Sequence, residues 1–177
     1  MDFFDVINAR YSHKEKFLPT PVPLHDLEKI AQAGLAAPSG MNSQCVRLII
    51  LPDRDAVQAL CEVAPTDGMQ TAPAAIAMLT DRSVQKGEVN FEMEDYSAAA
   101  ENMLLAATAL GYVSLWLDSP YFDSQKQKHA LDVLGADKSK HHLRVVLPIG
   151  LPDGEGSRRE KLPFNERVSY GKFGESK

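Results

Sequence analysis

Residues 95–110 constrain the fold of this chain more than any other segment of its sequence. Apolar residues surround the predicted helix on nearly all sides, and six of its positions are alanine. A helix of this kind is buried, and its small side chains let neighbouring backbone approach closely. Gly111 follows directly and is a natural stop, because glycine readily adopts the left-handed conformation that ends helices. The sequence therefore predicts a long central helix packed inside the protein.

A nearly continuous apolar run at residues 74–80 predicts a strand that is covered on both faces of a sheet. Apolar patterns predict further strands at residues 46–51, 113–117 and 143–149. The spacing of apolar residues, with its stop signals, predicts the other helices at about residues 3–10, 24–36, 53–61 and 124–134. Because helices and strands mix without strict alternation, we expect an α+β fold.

Length and composition restrict the class of protein. We expect 177 residues to form one domain, residues 1–177, with a charged extension rich in Pro and Gly from about residue 151. The net charge of −5 argues against nucleic acid as a partner, because phosphate neutralisation needs clustered Lys and Arg. We also expect no signal peptide and no membrane span, and the two cysteines suit a reducing interior, so the predicted location is the cytoplasm.

Residues 10–14, which we call the basic segment, could bind a phosphate group. Arg10, Ser12 and Lys14 lie within five residues at a predicted junction between helix and loop. A guanidinium offers a bidentate fork to phosphate, a hydroxyl donates one more hydrogen bond, and Lys adds a point charge. Taken alone, the segment is equally explained as a solvated basic turn, since surface Lys and Arg are mostly just exposed.

Residues 38–44, which we call the amide loop, combine small and amide-bearing residues between a predicted helix and strand. Amides and hydroxyls there could match the donors and acceptors along the edge of a heterocycle, and Gly40 would allow close approach of the backbone. The alternative is an ordinary connection, because Ser, Asn, Gly and Pro are common turn residues.

A second basic cluster, Arg158, Arg159 and Lys161, lies near the C-terminus in the Pro- and Gly-rich extension. A basic tail of this kind is usually a solvated surface. Such a tail is otherwise held in place only by docking on a neighbour.

Taken in order, these motifs resemble those of the nitroreductase family. The basic segment resembles the family's Arg-x-Ser-x-Lys/Arg phosphate clamp, and the amide loop resembles its Pro-Ser-x-x-Asn-x-Gln loop. Residues 159–163 with 166–170 are similar to its basic C-terminal signature. Residues 95–114 look like its central helix followed by a short strand. No single motif is specific, but four in the same order cover almost the whole chain.

The resemblance implies a nitroreductase-like fold, with a central mixed β-sheet flanked by helices, in a homodimer that binds FMN between its subunits. The C-terminal tail would pack on the partner. The basic segment, with Arg159 and Lys161, would hold the FMN phosphate, and the amide loop of the partner subunit would line the isoalloxazine. The residues that the resemblance assigns to cofactor binding are Arg10, Tyr11, Ser12, Lys14, Pro38, Ser39, Gly40, Asn42, Gln70, Ser119, Pro120, Tyr121, Arg159 and Lys161.

The resemblance also implies the chemistry. NADH or NADPH would reduce FMN, and a small electron-poor acceptor such as a nitroaromatic or quinone would then take the electrons. Because the flavin carries the reaction, no side chain needs to act as a catalytic residue. Two alternatives stay open, namely a protein that stores or senses FMN without turnover, and a reductive dehalogenase or biosynthetic dehydrogenase of the same fold.

Several residues depart from the family pattern or invite another interpretation. Cys45 stands where many members have proline, which raises the question of whether its thiol is redox-active. Pro120 has no amide hydrogen for the flavin. The polar residues 82–94 are the one candidate for a substrate lid. The acidic run at residues 92–95 is explained as a charged first turn favoured by the helix dipole, and the three histidines at positions 129, 141 and 142 match no zinc pattern.

Overall fold

The computed structural model of the protein describes residues 1–84 and 89–175. The helices of this part are α1 (Phe3–Ala9), α2 (Leu24–Leu35), α3 (Arg54–Gln58), α4 (Asp67–Thr71), α5 (Glu92–Ala109), α6 (Ser124–Val133) and α7 (Phe164–Arg167). Its strands are β1 (Val46–Leu51), β2 (Ala74–Asp81), β3 (Val113–Ser114) and β4 (His141–Gly150). Short 3₁₀ turns occupy Gly40–Asn42, Arg82–Val84 and Ser119–Phe122.

The four strands form one sheet in the order β1-β2-β4-β3. Each pair of neighbouring strands is antiparallel. A parallel bridge between Ser12 and Ser114 joins the basic segment to β3, so that parallel and antiparallel pairing both occur at this edge. The expected α+β fold with flanking helices is therefore confirmed, but the four strands form an antiparallel sheet rather than the expected mixed one.

Strand β2 lies in the centre of the structure, and all eight of its residues are buried. Successive side chains of a strand point to opposite faces of the sheet. Ala75, Ala77 and Leu79 accordingly join one apolar cluster, with residues of α3, α4 and α6. The alternate residues of β2 join a second cluster, with residues of α2 and α5. This arrangement confirms the prediction of a strand that is covered on both faces.

Helix α5 is the predicted central helix, and it packs against α2 across a very short distance. A Cβ atom added to Gly34 of α2 would lie 2.6 Å from the sulfur of Met103, so only glycine fits here. Gly111 follows α5 with a φ of +88°, which confirms the expected left-handed stop. The helix begins at Glu92, three residues before the predicted start, and the side chains of Glu92 and Asp95 are buried.

Other boundaries differ from the predictions because local patterns do not reveal tertiary contacts. The predicted strand at 113–117 shortens to β3, followed by a bridge between Leu117 and Val146. Helix α4 lies between the predicted helix at 53–61 and strand β2, where the sequence predicts no helix, and the Thr66 hydroxyl caps it by accepting from the Met69 amide. Among the described residues, no helix combines the length and apolar character that crossing a membrane requires.

Candidate functional site

The basic segment runs along the edge of the sheet, between the end of α1 and strand β3. The His13 amide donates to the Ser114 carbonyl at 3.0 Å, and Nε of Arg10 lies 3.7 Å from Oε1 of Glu101 on α5. Ser12 and Lys14 are exposed, whereas His13 between them is completely buried. This alternation is expected of extended backbone, where neighbouring side chains point to opposite sides. Ser12 and Lys14 therefore share an outward-facing side.

The buried side chain of His13 anchors the basic segment to the protein. Its Nε2 lies 2.8 Å from the carbonyl oxygen of Lys16, and its ring packs edge-on against Phe17 at 4.9 Å between centroids. His13 was not among the residues that the sequence patterns marked as functional. Its position between two polar residues of an extended segment was the available signal.

The C-terminal tail crosses the basic segment of the same chain through Arg158. The guanidinium of Arg158 donates to the carbonyl oxygens of Asn8 and Ala9 at 2.6 and 2.7 Å, two of the acceptors that the end of α1 leaves without helical partners. Its central carbon lies 5.3 Å from the ring centroid of Tyr11. This contact places Arg158 at the end of α1, where the basic segment begins, and Arg159 follows it in the sequence.

Close packing also holds Tyr11 against the tail. A Cβ atom added to Gly156 would overlap the Tyr11 ring. Tyr11 therefore supports the tail with its ring, while Lys161 remains exposed further along. Arg158, which lies outside the predicted cofactor-binding set, makes the contacts that anchor this part of the chain.

Gln70 lies on α4, which packs against the chain just after the basic segment. The Phe17 amide donates to the Thr71 hydroxyl at 3.0 Å. Gln70 is exposed, and together with Lys16 it lines a wide, open cavity of about 500 Å³. The structure therefore places Gln70 on the same cavity as Lys16, which lies two residues beyond the basic segment.

The amide loop is attached to α5 through the buried carboxylate of Asp95. This carboxylate accepts from the Gly40 amide at 2.7 Å, from the Ser43 hydroxyl at 2.9 Å and from the Cys45 thiol at 3.4 Å. Within the loop, the Ser39 hydroxyl accepts from the Gln44 amide at 3.1 Å. These four hydrogen bonds define the path of the loop.

Three residues of the amide loop that are not glycine have left-handed backbone. The φ angles of Met41, Asn42 and Gln44 are 51°, 52° and 51°. Asparagine tolerates this conformation comparatively well, but for the other two it is uncommon. Backbone strain of this kind persists only where the surrounding structure enforces it, and it concentrates at binding sites.

A cavity of about 360 Å³ opens beside the amide loop, a volume within the range of small-molecule sites. Pro38, Ser39 and Gln44 line it together with α2, the edge strand β1 and Asp95 on α5. Among the described residues that line it, none belongs to the basic segment or the tail. The cavity beside the amide loop therefore does not include the basic segment of the same chain, although both regions were expected to bind one cofactor.

Ser119, Pro120 and Tyr121, which the resemblance also assigns to cofactor binding, lie in the 3₁₀ turn Ser119–Phe122 and differ in exposure. Ser119 is exposed and Pro120 is half-buried, but the Tyr121 ring is enclosed in the core, where burial raises the pKa of its hydroxyl. The Tyr121 amide donates to Asp118, and its carbonyl accepts from Gln127. This placement does not support the expected cofactor contact of Tyr121, because its ring points inward and its backbone groups are already paired.

The acidic run at residues 92–95 lies in the first turn of α5, as expected, and within it Glu92 and Asp95 are buried. Glu92 accepts hydrogen bonds from Arg144 and from the Thr80 hydroxyl. Burial, reinforced by the hydrogen bond to Asp95, raises the pKa of the Cys45 thiol, which disfavours the reactive thiolate.

Two further expectations concern a substrate lid and metal binding. Residues 85–88 of the candidate lid at 82–94 lie outside the described residues, and α5 already begins at Glu92. Across 1–84 and 89–175, no group of three or more His, Cys, Asp or Glu side chains is arranged to hold a metal ion.

The residues present fit the parts of FMN in their chemistry. The guanidinium, hydroxyl and ammonium groups of Arg10, Ser12 and Lys14 are the donors that a phosphate monoester requires. The amide loop offers hydroxyl and amide groups beside a mainly apolar cavity, which suits the edge and face of a heterocycle.

The family model and the related proteins that match this chain point to the same family. The family model described as "Nitroreductase family" matches residues 7–66 and 62–151. A protein of Archaeoglobus fulgidus that carries the name NADH dehydrogenase/NAD(P)H nitroreductase is 34% identical over 131 residues, which cover 73% of this chain and 74% of that protein.

Solved structures of similar proteins have the same fold. A protein from Clostridium acetobutylicum that is named as an NADH oxidase superposes with a TM-score of 0.81 at 29% identity, over 96% of this chain and 100% of that one. A nitroreductase from Desulfovibrio desulfuricans, solved in complex with FMN, superposes with a TM-score of 0.84 at 25% identity, over 98% of both chains.

Proposed function

This chain belongs to the nitroreductase family and is an FMN-dependent NAD(P)H oxidoreductase, and we propose that it passes electrons to a nitroaromatic, a quinone or a similar electron-poor acceptor. FMN, when bound, supplies the redox chemistry by accepting a hydride from the nicotinamide and passing the electrons on. The chain itself binds and orients the cofactor, and no side chain serves as a catalytic residue in this proposal.

The observation that carries the proposal is the convergence of both chain ends at the basic segment. Arg158 fixes the tail on the last carbonyls of α1. Arg159 is the next residue in the sequence, and in this proposal it joins Arg10, Ser12 and Lys14. A phosphate dianion bound here would be balanced by several cations even though the whole protein is acidic.

In this proposal, different residues bind different parts of the cofactor. Arg10, Ser12 and Lys14, with Arg159 and Lys161, would hold the phosphate, and Gln70 would approach the pyrimidine side. Ser119 and Pro120 would lie near the reactive edge. The amide loop, with Pro38, Ser39, Gly40 and Asn42, would line the isoalloxazine.

We propose that the complete site forms only in a homodimer. Within one chain no residue of the basic segment lines the cavity beside the amide loop, so a second subunit would supply one of the two regions if both contact the same flavin. Large apolar side chains on α1 and around the amide loop are exposed, as expected of a surface that a partner covers. They are Phe3, Phe4, Leu35 and Met41.

The C-terminal tail also exposes large apolar side chains, beyond the point where Arg158 anchors it to α1. Leu162, Phe164 and Phe173 are exposed, although large apolar side chains of this kind are usually buried. This exposure supports the proposal that the tail packs on the partner subunit.

The first experiment is an absorbance spectrum of the purified protein, followed by anaerobic addition of NADH and, separately, NADPH. We expect flavin bands that bleach with at least one donor and recover when a quinone or nitroaromatic is added. Bound flavin that neither donor reduces would favour an FMN storage or sensing protein. Reduction without transfer to these acceptors would direct the search to dehalogenation or a biosynthetic dehydrogenation. A protein that takes up no FMN would overturn the proposal.

A further inference from the structure

Asp95 occupies an unusual position for a carboxylate. It is only 3% exposed, and it lies one turn inside the N-terminal end of α5. No Lys, Arg or His side chain among the described residues forms a salt bridge with it, in contrast to nearby Glu92, which pairs with Arg144.

Burial of a carboxylate is costly unless hydrogen bonds and local charges compensate for it. The partial positive charge at the helix N-terminus contributes part of this compensation. The rest comes from donors of one segment, namely the Gly40 amide, the Ser43 hydroxyl and the Cys45 thiol. The carboxylate and the loop therefore stabilise each other.

The loop that Asp95 binds is the one with the strained backbone. Met41, Asn42 and Gln44, the residues with φ near 50°, lie between or beside the three donors. An ordinary connection between α2 and β1 could relax to unstrained angles. The hydrogen bonds to Asp95 oppose that relaxation and keep Ser39 and Gln44 on the wall of the 360 Å³ cavity.

We propose that Asp95 is a positioning residue for the flavin, since its buried carboxylate holds the amide loop in the conformation that contacts the isoalloxazine. This inference rests on the proposed function, and it concerns a residue that does not itself need to touch the cofactor. A loop already held in its bound conformation loses little conformational entropy on binding, so the affinity for the ligand increases.

The experiment compares Asp95→Ala with Glu94→Ala. Both changes remove one carboxylate from the first turns of α5, but the Glu94 side chain is exposed rather than buried against the loop. Asp95→Asn, which keeps one acceptor oxygen, tests for partial rescue. Hydrogen–deuterium exchange of the FMN-free proteins reports on residues 37–47, and a fluorescence titration gives the Kd for FMN.

Asp95→Ala is expected to speed exchange within residues 37–47 more than elsewhere. It should also raise the Kd for FMN at least about tenfold, which corresponds to about 1.4 kcal/mol. Asp95→Asn should fall between Asp95→Ala and the wild type, and Glu94→Ala should match the wild type. If Asp95→Ala does not fold, Ser43→Ala removes a single donor and should show both effects in weaker form.

Three results would overturn the inference. Unchanged exchange at residues 37–47 would mean that Asp95 does not hold the loop. Faster exchange with an unchanged Kd would mean that the loop does not position the flavin, while the proposed function would stand. A wild-type protein that binds no FMN would refute the proposed function as well, and the wild-type titration separates this case from the other two.

Discussion

The basic segment and the amide loop present two different ways of building a binding surface. The basic segment is an extended stretch with outward-facing charged groups, and it is held by backbone pairing with Ser114, by the buried His13 and by Arg158. The amide loop is neutral and strained, and a single buried carboxylate 55 residues away from Gly40 holds it. The first surface depends on the charge of its side chains, and the second on the shape that the protein imposes on its backbone.

This difference determines how each region should respond to solution conditions. Interactions between exposed charges weaken as salt screens them, whereas buried contacts are screened much less. Changes in the basic segment should therefore have consequences that depend on ionic strength. Changes in the amide loop should have consequences that do not depend on ionic strength.

The largest effect is expected from Arg10→Ala. Loss of a hydrogen bond to a charged group should weaken FMN binding by about 1.5–3 kcal/mol, and the deficit should shrink as salt is raised, because part of the lost attraction is already screened. Fluorescence titration at low and high salt measures the loss of FMN affinity and its dependence on salt. Lys128→Ala removes an exposed cation on α6 and serves as the control. Unchanged affinity in Arg10→Ala would mean that the phosphate is bound elsewhere.

A similar or slightly smaller effect is expected from Gly40→Ala. The added Cβ atom would overlap the Phe91 ring, so the loop or the ring must move. Overpacking of this kind typically costs about 1–3 kcal/mol, and here we expect a loss of FMN affinity that stays constant with salt. The double variant that combines Gly40→Ala with Phe91→Ala should recover part of the lost FMN affinity. A deficit that shrinks with salt as much as that of Arg10→Ala would contradict the distinction between the two regions.

The smallest effect is expected when the Arg10→Ala and Gly40→Ala proteins are mixed and FMN binding is measured. If each flavin contacts the basic segment of one subunit and the amide loop of its partner, a dimer of Arg10→Ala with Gly40→Ala has one intact site. Random exchange of subunits should therefore restore about a quarter of the wild-type sites. Flavin titration before and after mixing measures this recovery, with sedimentation to establish the dimer. No recovery in a mixture shown to contain mixed dimers would place both regions in the same subunit's site.

Much of the fold could be predicted because its signals are local. The apolar run of β2, the alanines of α5 and the left-handed Gly111 each depend on a few neighbouring residues. The helix dipole accounts for acidic residues in the first turn of α5, but it does not indicate that two of them are buried. Only the partners Arg144 and Gly40, from β4 and the amide loop, explain why Glu92 and Asp95 turn inward.

The candidate site likewise has some features that could be predicted from the sequence and others that depend on tertiary contacts. The residue types of the basic segment and the amide loop are compatible with a phosphate and a heterocycle, which depends only on side-chain chemistry, and the order of the motifs along the chain made that interpretation specific. The inward orientation of Tyr121 was not predictable, because an aromatic residue in a loop between a strand and a helix can face either side. Its burial follows from packing with α6 and β4, which is a tertiary property.

The sequence by itself determined the chemical groups of this protein and most of its helices and strands, because side-chain chemistry and periodicity are properties of short stretches of chain. The tertiary structure alone decided which of those groups meet. Arg158 reaches the carbonyl of Asn8 across 150 residues, and Asp95 reaches the amide loop across more than 50. Contacts at such separations depend on which surfaces the folded core brings together, and no local pattern records them.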